Sequence, residues 1–341
     1  GEPLSAGFSR NAAGRGAMRV FFLAIVLSGL AGVVQADVAS QADALGWLNK
    51  VAAAAHQLSY SGTYIYQYGD QVETSRITHI KDESGEHEKL EALDGSPREV
   101  IRNNDEVLCF KPENNTSVVV EKRKIEKSFP ALLPKQLGGI TENYRVSLGE
   151  LDRTAGYPCR VVILEPKDQY RYRHKLWTDQ VSGLLLKAST LNEKNEVVGQ
   201  FAFTQIKIGG QIDKESLKPK IAGRKVVVSS EPADATELQQ ADLTWVVKPL
   251  PPGFNQVTIM KRMMPGKEVP VKHLVFSDGM ATVSVFIERL AGGMKSVQGV
   301  SRQGMVNVYT RTLEGHRITV LGEVPAITVT QIGNAVMNKE K

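Results

Sequence analysis

Beyond residue 36, apolar and polar positions alternate first with a helical period and then, over most of the chain, with a period of two. Ala44, Trp47, Leu48, Val51, Ala52 and Ala55 recur at i, i+3, i+4 spacing, which places them on one face of a helix of about four turns. Ser40-Gln41-Ala42-Asp43 precedes them as a capping box, whose Ser and acidic side chains satisfy free backbone N–H groups. The helix is expected to end near His56–Leu58. Tyr60, Tyr64, Tyr66 and Tyr68 then share one strand face, and Ser61, Thr63, Ile65 and Gln67 the other.

Further strands are predicted at Val72–Ile80, Glu99–Arg102, Glu106–Lys111, Ser117–Lys124, Arg160–Leu164, Tyr170–Thr178, Leu184–Leu191 and Val197–Ile208. Asn103-Asn104-Asp105 supplies a tight turn. One helix and about nine closely spaced strands suggest an antiparallel sheet curled around a helix. Residues 211–234 are polar, carry Pro and Gly and lack periodicity, so they are read as a linker. A second set of strands follows at Thr244–Lys248, Gln256–Met260, Val271–Phe276, Ala281–Glu288, Met305–Arg311 and His316–Leu321. Asp278-Gly279 is a hairpin signal between two of them. Pro325 opens a closing helix that is expected to reach about Met337. The fold class is α+β, with a large domain over 37–210 and a small one over 235–338.

The N-terminal residues 1–36 read differently. Met18-Arg19, the apolar run Val20–Val34 and the small-residue site before Asp37 describe a secretory signal peptide cut after Ala36. The competing reading is an uncleaved anchor, although the run is short of the about 20 apolar residues that span a bilayer. The residues before Met18 read as a start-site extension or tag. Asp37 stands where a lipoprotein would need Cys, so the expected mature product is soluble and unanchored. Cleavage would remove three Arg and one Glu from 42 Lys/Arg and 37 Asp/Glu, leaving a formal charge of +3. That balance is too mild to argue for nucleic-acid binding. Cys109 and Cys159 are the two cysteines. In an oxidising compartment they are expected to form a disulfide, the alternative being two buried thiols.

Catalytic motifs are absent: no G-x-S-x-G, H-E-x-x-H, P-loop, G-x-G-x-x-G or C-x-x-C occurs in a plausible context. The six His are scattered, none paired at metal-ligand spacing. Neither an enzyme nor a cofactor is expected. Binding features remain. Tyr64, Tyr66 and Tyr68 make an apolar wall with polar tips, suited to a lipid tail or peptide, or else simply core. Lys122 and Arg123 lead into Phe129, Leu132 and Leu133 between prolines. Cations beside apolar groups suit a phosphate-bearing lipid, and the alternative is a solvated strand end with a loop plug. In Tyr170–Trp177, alternation puts Tyr170, Tyr172, His174 and Leu176 on one face and Arg171, Arg173, Lys175 and Trp177 on the other. Strand periodicity explains this without a ligand. In the second domain Arg302, Tyr309, Arg311, His316 and Arg317 are the candidate protein-binding residues, since Arg and Tyr dominate buried interfaces, the alternative being ordinary solvated side chains.

Arg153–Thr204, WVVKPLPPGF (Trp245–Phe254), HLVFSDGMATVSVFIE (His273–Glu288) and Gly304–Pro325 together resemble the MucB/RseB family. The resemblance implies a half-open, lipoprotein-carrier-like antiparallel barrel with helical filling beside a smaller domain. It implies a periplasmic negative regulator that binds a membrane anti-sigma factor, shields it from a site-1 protease and is released by lipid or lipopolysaccharide fragments. The other class of reading is a plain lipid or lipoprotein carrier. Oligomeric state is left open.

Overall fold

In the computed structural model, the described residues are 40–112, 117–123, 133, 137–220, 225–230, 236–237, 244–264, 269–290 and 298–339. The first helix, α1, covers residues 40–57. Its predicted apolar face is the buried one: Ala44 and Leu48 are fully buried, and Val51 and Ala54 nearly so. Trp47 lies partly buried and donates its indole N–H to Thr178 Oγ1 at 2.8 Å.

Eleven strands follow in two runs, and a twelfth returns from beyond them. The first run holds β1 (Tyr60–Tyr68), β2 (Gln71–Asp82), β3 (Gly85–Ala92), β4 (Glu99–Asn103), β5 (Glu106–Pro112) and β6 (Ser117–Arg123). A single helical turn, α2 (Ile140–Asn143), leads to β7 (Tyr144–Thr154), β8 (Tyr157–Pro166), β9 (Arg173–Asp179), β10 (Leu185–Leu191) and β11 (Val197–Ile208). The sheet order is β12-β6-β5-β4-β3-β2-β1-β11-β10-β9-β8-β7, where β12 is Lys225–Ser230. Among the described residues its ends do not pair, so the barrel stays open. The core lies where α1 meets Tyr60, Tyr64, Ile77, Leu176, Phe201 and Phe203 of the sheet.

Two strands in this sheet escape a reading by alternation. β3 buries Glu88, Lys89 and Glu91. The Lys89 charge is matched: Nζ lies 3.0 Å from Glu99 and donates to the Lys218 carbonyl at 2.6 Å, whereas among the described residues Glu88 has only Arg102 at 3.9 Å. Glu86 takes donors from His56 (3.0 Å), His79 (3.1 Å) and Arg102. In β7 a register shift between Leu148 and Leu151 breaks the period. The stretch read as a linker also contributes β12, parallel to β6. Strand β9 begins at Arg173, not Tyr170.

The expected disulfide is not formed. Cys109 and Cys159 are both buried and are not joined to each other. They lie on β5 and β8, with seven strands between them in the sheet order. A bridge needs Cα atoms within about 7 Å.

The second sheet is built from β13 (Thr236–Glu237), β15 (Asn255–Arg262), β16 (Val271–Ser277), β17 (Thr282–Arg289), β18 (Gly299–Gln303), β19 (Val306–Leu313) and β20 (His316–Gly322). Strand β14 (Trp245–Val247) pairs instead with β21 (Val336–Asn338). Helix α3 (Ala326–Asn334) follows Pro325 as expected but stops short of Met337, where β21 takes over. Its Val329 and Ile332 close a core with Trp245, Leu274, Phe276, Val285, Ile318 and Val320. No helix among the described residues is long and apolar enough to cross a membrane.

Candidate functional site

The two sheets meet through a small set of buried polar contacts. The β16–β17 turn starts at Asp278, followed by Gly279 at φ +96°, a value that favours glycine. Asp278 Oδ1 accepts from the N–H groups of Met280 (2.9 Å) and Ala281 (2.7 Å), which fixes the turn. Its other oxygen accepts from Arg171 Nη1 at 2.8 Å, and both side chains are fully buried. Arg171 also grips Asp168 through two bonds of 3.0 and 2.9 Å and donates to the Pro252 carbonyl at 2.5 Å. The rings of Tyr144 and Phe254 lie 5.9 and 5.3 Å from the guanidinium carbon. A bare buried cation would be costly, and this one is matched by two carboxylates, a carbonyl and two π faces. One side chain of the large domain thus holds two separate segments of the small one.

A second contact lies at the tip of the β18–β19 hairpin. Met305 presents its sulfur to the Tyr66 hydroxyl, which donates at 3.3 Å. Gly199 gives it room: a Cβ there would stand 1.9 Å from the Met305 sulfur. Asn307 donates to both the Tyr172 hydroxyl (3.0 Å) and the Val324 carbonyl (2.7 Å). Thr328 of α3 donates to the Tyr170 carbonyl at 2.7 Å.

Two cavities open between these contacts. One of about 590 Å³ is lined by Tyr172, Arg173 and Asn195 on the large side and Arg302, Asn307 and Ile327 on the small side. Another of about 410 Å³ lies between His174 and Thr190 and Met305 and Leu321. Burial pushes the His174 imidazole down to about 4, so it is neutral near pH 7 and hydrogen-bonds Thr190 Oγ1 at 3.2 Å. Among the described residues no group of three or more His, Cys, Asp or Glu could hold a metal ion. The first cavity mixes charged, amide and apolar groups without a paired nucleophile and base. That is the chemistry of recognition.

The structure divides the sequence-predicted lipid residues. Tyr64 is core, 5% exposed, and burial pushes its phenol up to about 12. Leu133 is also in the core. Tyr66 reaches Met305, and Tyr68 donates to Glu73 at 2.6 Å beside Gly304. Phe129 and Leu132 lie outside the described residues, as do the side chains of Lys122 and Arg123. The ladder is therefore core at one end and domain junction at the other.

The protein-binding candidates separate in the same way. Tyr309 donates to Asn334 at 2.7 Å, and Arg311 donates to the Val336 carbonyl at 2.7 Å. His316 packs on Trp245 with ring centroids 5.0 Å apart, and Arg317 pairs with Glu288 at 2.5 Å. These four are held by their own domain. Arg302 alone lines the junction cavity. Arg171, Asp278, Gly199 and Met305 went unrecognised as junction residues. Only Asp278-Gly279 carried a local signal, and it spoke of a turn.

Comparison with known proteins covers both domains. A family profile described as the MucB/RseB N-terminal domain matches residues 43–221, and one described as the MucB/RseB C-terminal domain matches 239–337. The sigma factor AlgU regulatory protein MucB of Pseudomonas aeruginosa is 32% identical over 94% of this chain and 98% of its own. The sigma-E factor regulatory protein RseB of Escherichia coli K12 is 25% identical over 85% of this chain and 89% of its own. The solved complex of P. aeruginosa MucA and MucB contains a chain that matches with a TM-score of 0.71 at 29% identity, over 87% of this chain and 99% of that one. MucB in complex with MucA(peri) gives 0.69 at the same identity and coverage. With both profiles matched in order along one chain, the protein belongs to the MucB/RseB family.

Proposed function

We propose that this protein is a periplasmic negative regulator of an envelope-stress sigma factor. It binds the periplasmic part of a membrane anti-sigma factor and shields it from the first protease of the release cascade. A lipid or lipopolysaccharide fragment ends the protection. The observation that carries this reading is the match across 87% of the chain to MucB chains solved together with MucA. The curated relatives are named as regulatory proteins, in line with a junction suited to binding.

The junction is where we place the partner. Its polar cavity is shared by both domains, and a simple carrier has no need of the second domain. Export follows the signal sequence before Asp37, which lies outside the described residues. The direct test is calorimetric titration of the chain from Asp37 onward with the periplasmic part of the anti-sigma factor from the same organism. One-to-one saturable binding is expected. Absence of binding at high micromolar concentration would sink the proposal.

A further inference from the structure

Among the described residues the second sheet ends on β18, and all five of its residues are exposed. Strand β18 pairs with β19 in the order Gln303↔Val306, Arg302↔Asn307, Ser301↔Val308, Val300↔Tyr309 and Gly299↔Thr310. Gly304 and Met305 make a two-residue turn, with Gly304 at φ +60°. The pair that flanks such a turn exchanges both backbone hydrogen bonds, and bonded and non-bonded pairs alternate from there. Gln303, Ser301 and Gly299 therefore bond inward to β19. The N–H and C=O groups of Val300 and Arg302 point away from the sheet.

An open row of this kind invites another strand, and sheets usually guard it with Lys, Pro or a bulge. The sequence GVSRQ has no Lys or Pro, its single charge is Arg302, and its pairing runs without a register shift. Edge strand β7 of the large sheet is guarded more heavily, with a register shift after Leu148 and three charged residues, Glu150, Asp152 and Arg153. The chemistry beside β18 also selects an occupant. Arg302 donates through Nε to the Gly304 carbonyl at 2.8 Å, and among the described residues its two Nη groups have no partner. It faces the 590 Å³ cavity from the small domain. Arg173 across that cavity is already satisfied by Glu165 at 2.6 Å. The cation left over is that of Arg302, and its natural partner is a carboxylate.

We propose that β18 receives an extended segment of the partner as an added strand, with an acidic side chain of that segment set against Arg302. This rests on the chain binding the periplasmic part of an anti-sigma factor, and it names the edge that does so. Affinity would come from main-chain hydrogen bonds and selectivity from the side chain over the cavity.

The test compares the full chain with Val300→Pro, Val300→Thr and Arg302→Glu, titrated with the periplasmic part of the anti-sigma factor. Proline is tolerated where the lost N–H faces out from an edge, so Val300→Pro should melt with the unmodified chain. It should bind at least about tenfold more weakly, because an outward donor is lost and the approach is blocked. Val300→Thr keeps the donor and should bind as before, whereas Arg302→Glu should also weaken binding. If Val300→Pro does not fold, peptides of the partner N-methylated at alternate positions give the same answer. One alternating set should lose binding and the other keep it. Equal binding by Val300→Pro and by both peptide sets overturns the proposal. So does a change confined to self-association of the chain, which would assign the edge to a second copy. Failure of the unmodified chain to bind at all would instead remove the functional reading beneath it.

Discussion

Removing the charge of Asp278 should loosen the two domains from each other at a cost that can be worked out beforehand. Asp278→Asn keeps an oxygen for the Met280 and Ala281 N–H groups, so the turn should survive. It removes the carboxylate 2.8 Å from Arg171 Nη1, where neither side chain has any exposure. Breaking a buried ion pair by removing one partner typically costs about 3–5 kcal/mol. Asp168 still grips the guanidinium through two bonds, which places the expected loss near the lower end, about 3 kcal/mol. In a chain of this size that lowers Tm by roughly 5 °C. Glu288→Gln provides the comparison, because its partner Arg317 is one-third exposed. Such pairs contribute under about 1 kcal/mol. Urea unfolding of both variants, followed by tryptophan fluorescence, reads the difference. Equal losses from Asp278→Asn and Glu288→Gln, or a loss below 1 kcal/mol from the former, would refute the view that Arg171 locks the junction.

Three further outcomes follow from single residues. Burial, only partly offset by Arg102, holds the Glu88 carboxyl up to about 8, whereas in the unfolded chain it ionises near the ordinary carboxylate value of about 4.3. The folded state then binds the extra proton between those values, so stability should fall by a few kcal/mol as pH rises through that window. Glu88→Gln should flatten the urea midpoint between pH 5 and 8, and parallel curves for both proteins would contradict the assignment. Gly199→Ala sets a Cβ against the Met305 sulfur and should cost about 1–3 kcal/mol as an overpacking change. Met305→Ala should relieve part of that loss in a double-mutant cycle, and strict additivity would show that the two do not touch. Alkylation of denatured, unreduced protein should label both Cys109 and Cys159, since no disulfide joins them; an unlabelled pair would restore the disulfide.

What the sequence disclosed depended on whether a side chain's burial matched its polarity. The apolar face of α1 and the strands with clean alternation, such as β5 and β17, were readable because their buried positions are apolar. Strand β3 was not, since GEHEKLEA buries Glu88, Lys89 and Glu91, and Lys89 meets Glu99 only in the folded state. In YRYRHKLW the alternation is real, yet Arg171 is taken out of the strand to serve a carboxylate 107 residues away. No local pattern announces a partner at that distance. The Tyr ladder was seen, but its division into core at Tyr64 and junction at Tyr66 depends on Met305, which the fold alone delivers. Arg302 was picked out by residue type, and its place on an unguarded edge became visible only with the β18–β19 register.

A protection assay reads the shielding proposed for this chain. The periplasmic part of the anti-sigma factor, in its membrane-anchored form, is exposed to the site-1 protease while the chain from Asp37 onward is titrated in. Cleavage should fall to background at one equivalent and return when lipopolysaccharide fragments are added. Cleavage that proceeds at the same rate with the protein in saturating excess would contradict the account.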